Sequence, residues 1–200
     1  MNVMIVDDEV LTRTNVKYIL EAEIPAYTGT TSYMLCGEAG SGAEALEKLP
    51  VCRPDIVLSD MRMPGMNGLE LCETLHKQYP HIQFIALSNY DDYEYVRGTL
   101  QNGAVDYLLK HHLYAKELPE ALDNARERIS IINIVSEILS DQKNGVICYA
   151  EQGNYAILLS FAHTFSENAV SSVIHAALTR IRTCMSRFLN LSVSFSIGVL

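Results

Sequence analysis

Five short apolar segments alternate with helical stretches over residues 1–110, and this alternation constrains the fold more than any other feature of the sequence. The apolar segments span residues 2–6, 33–37, 56–58, 82–87 and 104–109. Helical patterns lie between them, at residues 11–22, 43–49, 69–78 and up to residue 102. Strands joined through helices run parallel, and their helices cover both faces of the sheet. The sequence therefore predicts an α/β fold with a doubly wound, five-stranded parallel sheet.

Polar side chains follow the ends of four of these strands. Asp7 and Asp8 follow the first strand, Asp60 ends the third, Ser88 follows the fourth and Lys110 the fifth. The carboxyl ends of parallel strands share one edge of the sheet, where ligands bind in doubly wound folds. In a flavodoxin-like strand order, 2-1-3-4-5, the first and third strands are neighbours. This order brings Asp7 and Asp8 against Asp60.

The residue types at this edge predict phosphate chemistry. Three carboxylates in one crevice repel one another, so the cluster indicates a bound cation, and oxygen ligands favour Mg²⁺. Lys110 adds a positive charge and Ser88 a hydroxyl donor at the same edge. Together these groups can transfer a phosphoryl group to a carboxylate.

Several stretches resemble the receiver domains of bacterial two-component response regulators. They are Asp7-Asp8, the run DIVLSDMRMPGMNGLEL, Ser88 and the run AVDYLLK. The resemblance covers about residues 1–115. The stretch SNYDDYEYVRGTLQNGAVDYLLK is similar to the YesN-like branch of these regulators, in which an AraC-type helix-turn-helix follows a degenerate middle domain. The resemblance implies a signalling switch and not a turnover enzyme.

The resemblance also implies roles for single residues. Asp60 would accept a phosphoryl group from a sensor histidine kinase, and Lys110 would contact the phosphoryl oxygens. The implied ligands of Mg²⁺ are Asp7, Asp8, Asp60 and the backbone carbonyl of Arg62.

A switch element is implied next to this site. Ser88 would hydrogen-bond the phosphoryl group, and Tyr107 would turn inward and remodel the surface of the fourth helix, fifth strand and fifth helix. That surface is a candidate face for a homodimer. One departure concerns His111, because the family usually has proline after the lysine, often in a cis peptide. Without proline a cis bond costs about 2.5–4 kcal/mol, so the loop after Lys110 is expected to differ from the family's.

Two alternatives stay open. Residues 40–45 read GxGxxA after a strand, as in a dinucleotide-binding fingerprint, with Asp60 about twenty residues further on. This motif lies in the second strand-helix turn and not the first, where the acids would repel a pyrophosphate. The second alternative is a binding module that works without phosphorylation.

The sequence after residue 117 predicts a linker and a further small region. We expect a receiver domain at residues 1–117, a helical linker at 118–144 and a partial α+β region at 145–200. The linker repeats apolar residues in steps of four and three, which is typical of a dimerisation helix or of packing on the next segment of the chain. Residues 145–200 read as a hairpin, a helix at about 166–189 and a final strand.

Residues 145–200 resemble the second half of a degenerate GGDEF domain. Positions 151–155 read EQGNY and lack the acidic residues of that family, so cyclase activity is not predicted. We expect the sequence to be truncated, with a DNA-binding effector beyond residue 200.

Charge and cysteine content exclude several functions for the residues given. The net charge is −9 and no run of Lys or Arg forms a basic stripe, which argues against direct DNA binding by these residues. The start MNVMIVDDE predicts neither a signal peptide nor a membrane span. Five scattered cysteines without a CxxC pair indicate a reducing compartment. We therefore expect a cytoplasmic protein.

Overall fold

The computed structural model describes residues 1–25, 33–89, 93–113, 117–140, 145–149, 154–161 and 166–197. The chain divides into two compact units, Met1–Arg126 and Glu127–Leu200. None of the helices in the described ranges combines the length and the apolar character that a transmembrane span requires.

The first unit is built on a five-stranded parallel sheet. Its strands are β1 (Asn2–Val6), β2 (Met34–Ala39), β3 (Ile56–Asp60), β4 (Gln83–Ser88) and β5 (Asp106–Leu109). They lie in the order β2-β1-β3-β4-β5, and every neighbouring pair is parallel. Every residue of β3 and β4 is buried, as expected for strands covered on both faces. The predicted fold class and strand order are confirmed.

A helix follows each of these strands. They are α1 (Val10–Tyr18), α2 (Gly42–Cys52), α3 (Gly68–Gln78), α4 (Tyr93–Gln101) and α5 (Glu117–Ser140). A π-helical turn, Ile19–Glu23, continues α1. α2 is longer than its apolar pattern predicts and runs through Pro50. After the proline, Arg53 N–H donates to Leu49 O at 2.8 Å in the last turn of the helix.

The start of α3 fixes the loop that follows β3. Asn67 and Glu70 form a capping box, in which each side chain accepts a hydrogen bond of 3.0 Å from the other residue's backbone N–H. Gly68 then lies directly against the chain after Asp60, because a Cβ at this position would lie 2.8 Å from the Cα of Met61. Glycine is therefore needed for this close approach.

The second unit contains a hairpin and a helix. Strands β6 (Gly145–Tyr149) and β7 (Tyr155–Leu159) pair antiparallel, and helix α6 (Glu167–Cys184) ends in a π-helical turn, Met185–Leu189. The later part of α5 and the end of α6 share a core. Its buried residues are Val135, Ile138, Leu139, Ile181 and Met185.

The predicted final strand is wrong for the residues that the structure describes there. Residues 191–197 are not assigned to a strand, although Leu191, Val193 and Phe195 pack on this core while the serines between them are exposed. The side chains alternate as in a strand, but the described sheet of this unit pairs β6 with β7 only. Without a ladder of hydrogen bonds, alternation alone makes no strand. Positions 151–153 and 198–200, part of the resemblance above, lie outside the described residues.

Candidate functional site

Three carboxylates meet where β1 and β3 end. One ligand oxygen from each of Asp7, Asp8 and Asp60 lies within 4.8 Å of the others. Asp7 and Asp60 are buried, and Asp8 is exposed. Adjacency of β1 and β3 in the sheet brings the acids together, as the sequence predicts.

Lys110, at the exit of β5, reaches into the same cluster. Its Nζ lies 2.7 Å from Oδ2 of Asp7 and 3.0 Å from Oδ2 of Asp60. Burial alone would lower the pKa of Lys110, but the adjacent carboxylates of Asp7 and Asp60 outweigh this effect, so the pKa is raised. The site therefore holds a charged ammonium between two carboxylates.

Backbone groups orient two of the acids. Oδ1 of Asp7 accepts a 2.9 Å hydrogen bond from Glu9 N–H, and Oδ1 of Asp60 accepts one of 3.2 Å from Arg62 N–H. The Arg13 guanidinium donates to the Asp7 carbonyl at 2.6 Å. In both acids the second oxygen, Oδ2, is thus left to face Lys110.

The donor set fits a hard cation. Oδ2 of Asp7 is buried and has no well-directed hydrogen bond, although it forms the ion pair with Lys110. Burial is the main reason that the pKa of Asp7 is raised, and the adjacent Lys110 ammonium opposes that rise. A divalent ion beside Asp8 and Asp60 would find oxygen ligands, which suits Mg²⁺.

A small pocket of about 110 Å³ opens onto Asp60. Its lining residues are Asp8, Glu9, Asp60, Arg62, Ser88 and Asn89. Ser88 is buried at the end of β4 and reaches the pocket, as its register with Asp60 predicts. Two further lining residues, Glu9 and Asn89, were not predicted from the sequence. The sequence feature that could have indicated them is that each directly follows a predicted site residue. Asp7 and Lys110 are not among the lining residues.

The loop after Lys110 turns at once. Residues Lys110–His112 form a single 3-10 turn, and the described residues contain no cis peptide. The rings of His111 and His112 stack edge to face with centroids 4.2 Å apart. Lys110 nevertheless forms ion pairs with Asp7 and Asp60, so the absence of proline at position 111 does not keep it from the cluster.

Tyr107 is not among the residues that line the pocket. It is partly buried and packs on the core between the sheet and α3. Thr99 links α4 to the site, because it is fully buried and its hydroxyl lies 3.9 Å from the sulfur of Met61. The structure thus connects α4 to the residue that follows Asp60.

The glycine-rich turn at residues 40–45 is occupied by its own side chains. Glu44 Oε2 accepts from Gly40 N–H at 2.7 Å, and Ser41 Oγ accepts from Glu44 N–H at 3.2 Å. A dinucleotide site needs such N–H groups for a pyrophosphate. Here the Glu44 carboxylate already accepts the hydrogen bond of the Gly40 N–H group that a pyrophosphate would need. This argues against the dinucleotide alternative.

Comparison with known proteins agrees with this geometry. The model of the response regulator receiver domain family matches residues 3–123. The response regulator protein VraR of Staphylococcus saprophyticus is 28% identical over 197 residues, which cover 95% of this chain and 89% of VraR. The uncharacterized transcriptional regulatory protein YesN of Bacillus subtilis is 36% identical over 108 residues, 54% of this chain and 28% of YesN.

Solved structures are similar over the first unit. The signal receiver domain of the putative response regulator NarL from Mycobacterium tuberculosis is 31% identical, with a TM-score of 0.53 over 62% of this chain and 95% of that domain. A response regulator receiver domain protein from Clostridium thermocellum is 28% identical, with a TM-score of 0.55 over 65% of this chain and 97% of that protein.

Proposed function

The chain belongs to the family of response regulator receiver domains, and from this premise we propose that Asp60 is its phosphoacceptor. The observation that carries the proposal is the position of the Asp60 carboxylate. One oxygen lies 3.0 Å from Lys110 Nζ, and the residue lines the pocket that also holds Ser88. A buried carboxylate between an ammonium and a hydroxyl suits an in-line phosphoryl transfer.

The proposed reaction is transfer from a phosphohistidine of a sensor histidine kinase. The Asp60 oxygen attacks phosphorus, a P–O bond forms and the P–N bond to histidine breaks. Lys110 stabilises the negative charge on the phosphoryl oxygens, and Ser88 donates a hydrogen bond to them. Asp7, Asp8, Asp60 and the carbonyl of Arg62 would hold Mg²⁺, which supplies further positive charge when bound. The protein then works as a switch and not as a turnover enzyme.

We also propose that the output is control of transcription. VraR is named a response regulator, and YesN a transcriptional regulatory protein. Phosphorylation would act through Ser88 and Tyr107 on the face formed by α4, β5 and α5, or through α5 itself, and so favour a homodimer. DNA would be bound by an AraC-type effector domain, and this control would take place in the cytoplasm. The resemblance of residues 145–200 to a degenerate GGDEF domain stays a proposal.

Intact mass spectrometry tests the phosphoacceptor. The chain is incubated with acetyl phosphate and Mg²⁺, with and without EDTA, beside the variants Asp60→Asn and Glu47→Gln. Glu47 is an exposed acid on α2 and serves as the matched control. We expect one phosphoryl group on the wild type and on Glu47→Gln, none on Asp60→Asn and none in EDTA.

Two outcomes would contradict the proposal. If Asp60→Asn were labelled as strongly as the wild type, the phosphoacceptor would be a residue other than Asp60. No labelling of the wild type, even with a phosphorylated kinase, would favour a binding module that works without phosphorylation.

A further inference from the structure

Strand β2 contains an extra residue at Cys36. Val3 of β1 pairs with Leu35, and Met4 pairs with Gly37, so Cys36 has no partner of its own in the ladder. Such a bulge interrupts the alternation of side chains along a strand. β2 is also an edge strand, with β1 as its one neighbour in the sheet. The side chain of Cys36 is therefore not bound to the alternation of faces that the rest of the strand follows.

Cys52 comes to the same place from the end of α2. It is the last residue of the helix, and Arg53 turns the chain away with φ 44°. A Cβ built on Gly37 would lie 2.5 Å from the Cys52 sulfur and 3.6 Å from its Cβ. The sulfur thus sits over the Gly37 backbone, beside Cys36, in space that only glycine leaves open.

The two thiols interact. Burial is the main cause that raises the pKa of Cys36 to about 11, and the neighbouring Cys52 thiol contributes to this rise. Both side chains are only partly buried, and both are free thiols, whereas Cys72 is buried. A small oxidant can therefore reach the pair.

We propose that Cys36 and Cys52 are a dithiol that closes into an intramolecular disulfide when a peroxide oxidises it. No residue of the proposed phosphoacceptor site takes part. The bridge would tie the edge strand β2 to the end of α2 and close the loop of residues 36–52. A covalent tie of this kind restricts the unfolded chain and stabilises the fold.

The reaction balances with hydrogen peroxide as the oxidant. The Cys52 thiolate attacks one peroxide oxygen, an S–O bond forms, the O–O bond breaks, and the leaving hydroxide takes a proton to become water. The Cys36 thiolate then attacks the sulfenic sulfur of Cys52, the S–S bond forms, the S–O bond breaks, and a second water leaves. The two sulfurs lose two electrons, which reduce the peroxide. Because Cys36 has the raised pKa, the second step is expected to speed up as pH rises.

Peptide mapping of the oxidised full chain tests the bridge. The native protein is treated with hydrogen peroxide at pH 8, its remaining thiols are blocked, and it is digested with trypsin without reduction. Trypsin cleaves after Lys48, between the two cysteines, so a bridge joins two separate peptides. We expect the intact mass to fall by two hydrogens and the Cys36 and Cys52 peptides to be linked, with reversal by dithiothreitol. The urea midpoint should rise on oxidation.

Variants separate this pair from the other cysteines. Cys36→Ser and Cys52→Ser should each abolish the link, and Cys184→Ser, at another partly buried thiol, should retain it. The proposal is overturned if wild-type Cys36 and Cys52 stay unlinked, oxidise separately to sulfinic acids, or pair with other cysteines. Phosphoryl labelling of Asp60 reads out a different site, so either proposal can fail without the other.

Discussion

The Nζ of Lys110 lies 3.0 Å from Oδ2 of Asp60, and the exposed fraction of each side chain is below one tenth. This contact joins the exit of β5 to the exit of β3 across β4. The same ammonium lies 2.7 Å from Asp7, so one buried cation balances two buried carboxylates. Removing the cation leaves two like charges without compensation in a site largely withdrawn from water.

Lys110→Met should therefore destabilise the fold. Breaking a buried ion pair by deleting one partner costs about 3–5 kcal/mol, because the remaining charge stays buried. Urea unfolding without Mg²⁺ measures the loss. Lys77→Met is the control, since Lys77 is 71% exposed and its ion pair with Glu73 is at the surface; surface pairs contribute up to about 1 kcal/mol. Equal losses in the two variants would show that the buried contact adds no stability.

Gly68→Ala should destabilise the loop after the acceptor residue. The new Cβ would collide with the backbone of Asp60 and Met61, and backbone cannot move aside as a side chain can. Overpacking of this kind costs roughly 1–3 kcal/mol, and we expect slower phosphoryl labelling as well. Thermal unfolding and the labelling rate measure the two effects.

Gly98→Ala is the matched control for that variant. Gly98 lies within α4, and the nearest atoms to a new Cβ are side-chain carbons of Leu69 at 3.8 Å, an ordinary contact. Alanine in a helix interior is favoured over glycine by about 1 kcal/mol, so this variant should be stabilised. If Gly68→Ala were also stabilised, the close approach at the start of α3 would be disproved.

The sequence predicted the sheet and the acidic cluster because both depend on local patterns. Each strand of the first unit is a short apolar run, and Asp7, Asp8 and Asp60 stand at strand exits that a parallel sheet brings to one edge. The Cys36–Cys52 pair could not be found this way. It depends on a bulge in β2, which leaves no signature in residue type or spacing.

The final predicted strand shows the opposite failure. Residues 191–197 alternate apolar and polar as a strand does, yet the described residues there have no ladder partner. Alternation reports which side chains face a core, and strand pairing depends on neighbours distant in sequence. The pattern therefore predicted correctly that Leu191, Val193 and Phe195 face a core. It predicted the secondary structure wrongly, and Ile197 is 60% exposed.

Arg53→Gly should stabilise the first unit. Arg53 follows α2 with φ 44° and ψ 60°, the left-handed region, where a side chain costs roughly 1–2 kcal/mol relative to glycine. Glycine loses more conformational entropy on folding, so we expect a net gain of about 1 kcal/mol or less in urea unfolding. Arg53→Ala, which keeps a Cβ, should bring no such gain. A lower midpoint for the glycine variant would mean that the Arg53 side chain itself stabilises the fold.

Tyr33→Phe should weaken the contact between the start of β2 and α5. The buried Tyr33 hydroxyl donates a 2.7 Å hydrogen bond to Asp123, which also pairs with Arg126. Phenylalanine keeps the ring and removes this hydrogen bond, but the half-exposed Asp123 carboxylate keeps Arg126 and water as partners. We therefore expect a loss of roughly 0.5–1.5 kcal/mol. Hydrogen exchange along residues 117–126 should speed up in this variant. Tyr18→Phe is the control, because Tyr18 is 58% exposed on α1 and should leave the exchange rates unchanged.

Cys72 should resist alkylation in the folded protein. Burial, with a smaller effect of the Glu73 charge, raises the pKa of the Cys72 thiol to about 12, and its sulfur donates weakly to Asn102 O at 3.7 Å. At pH 8 the thiol is protonated, so iodoacetamide should modify partly buried Cys184 well before Cys72, and urea should remove the difference. In the unfolded chain the thiol has a pKa of about 8.5. The stability that the protonated Cys72 thiol contributes is therefore fully present below about pH 8.5 and declines as the pH rises towards 12. Mass spectrometry of the alkylated peptides measures both rates, and equal rates at the two cysteines in the native protein would contradict the burial of Cys72.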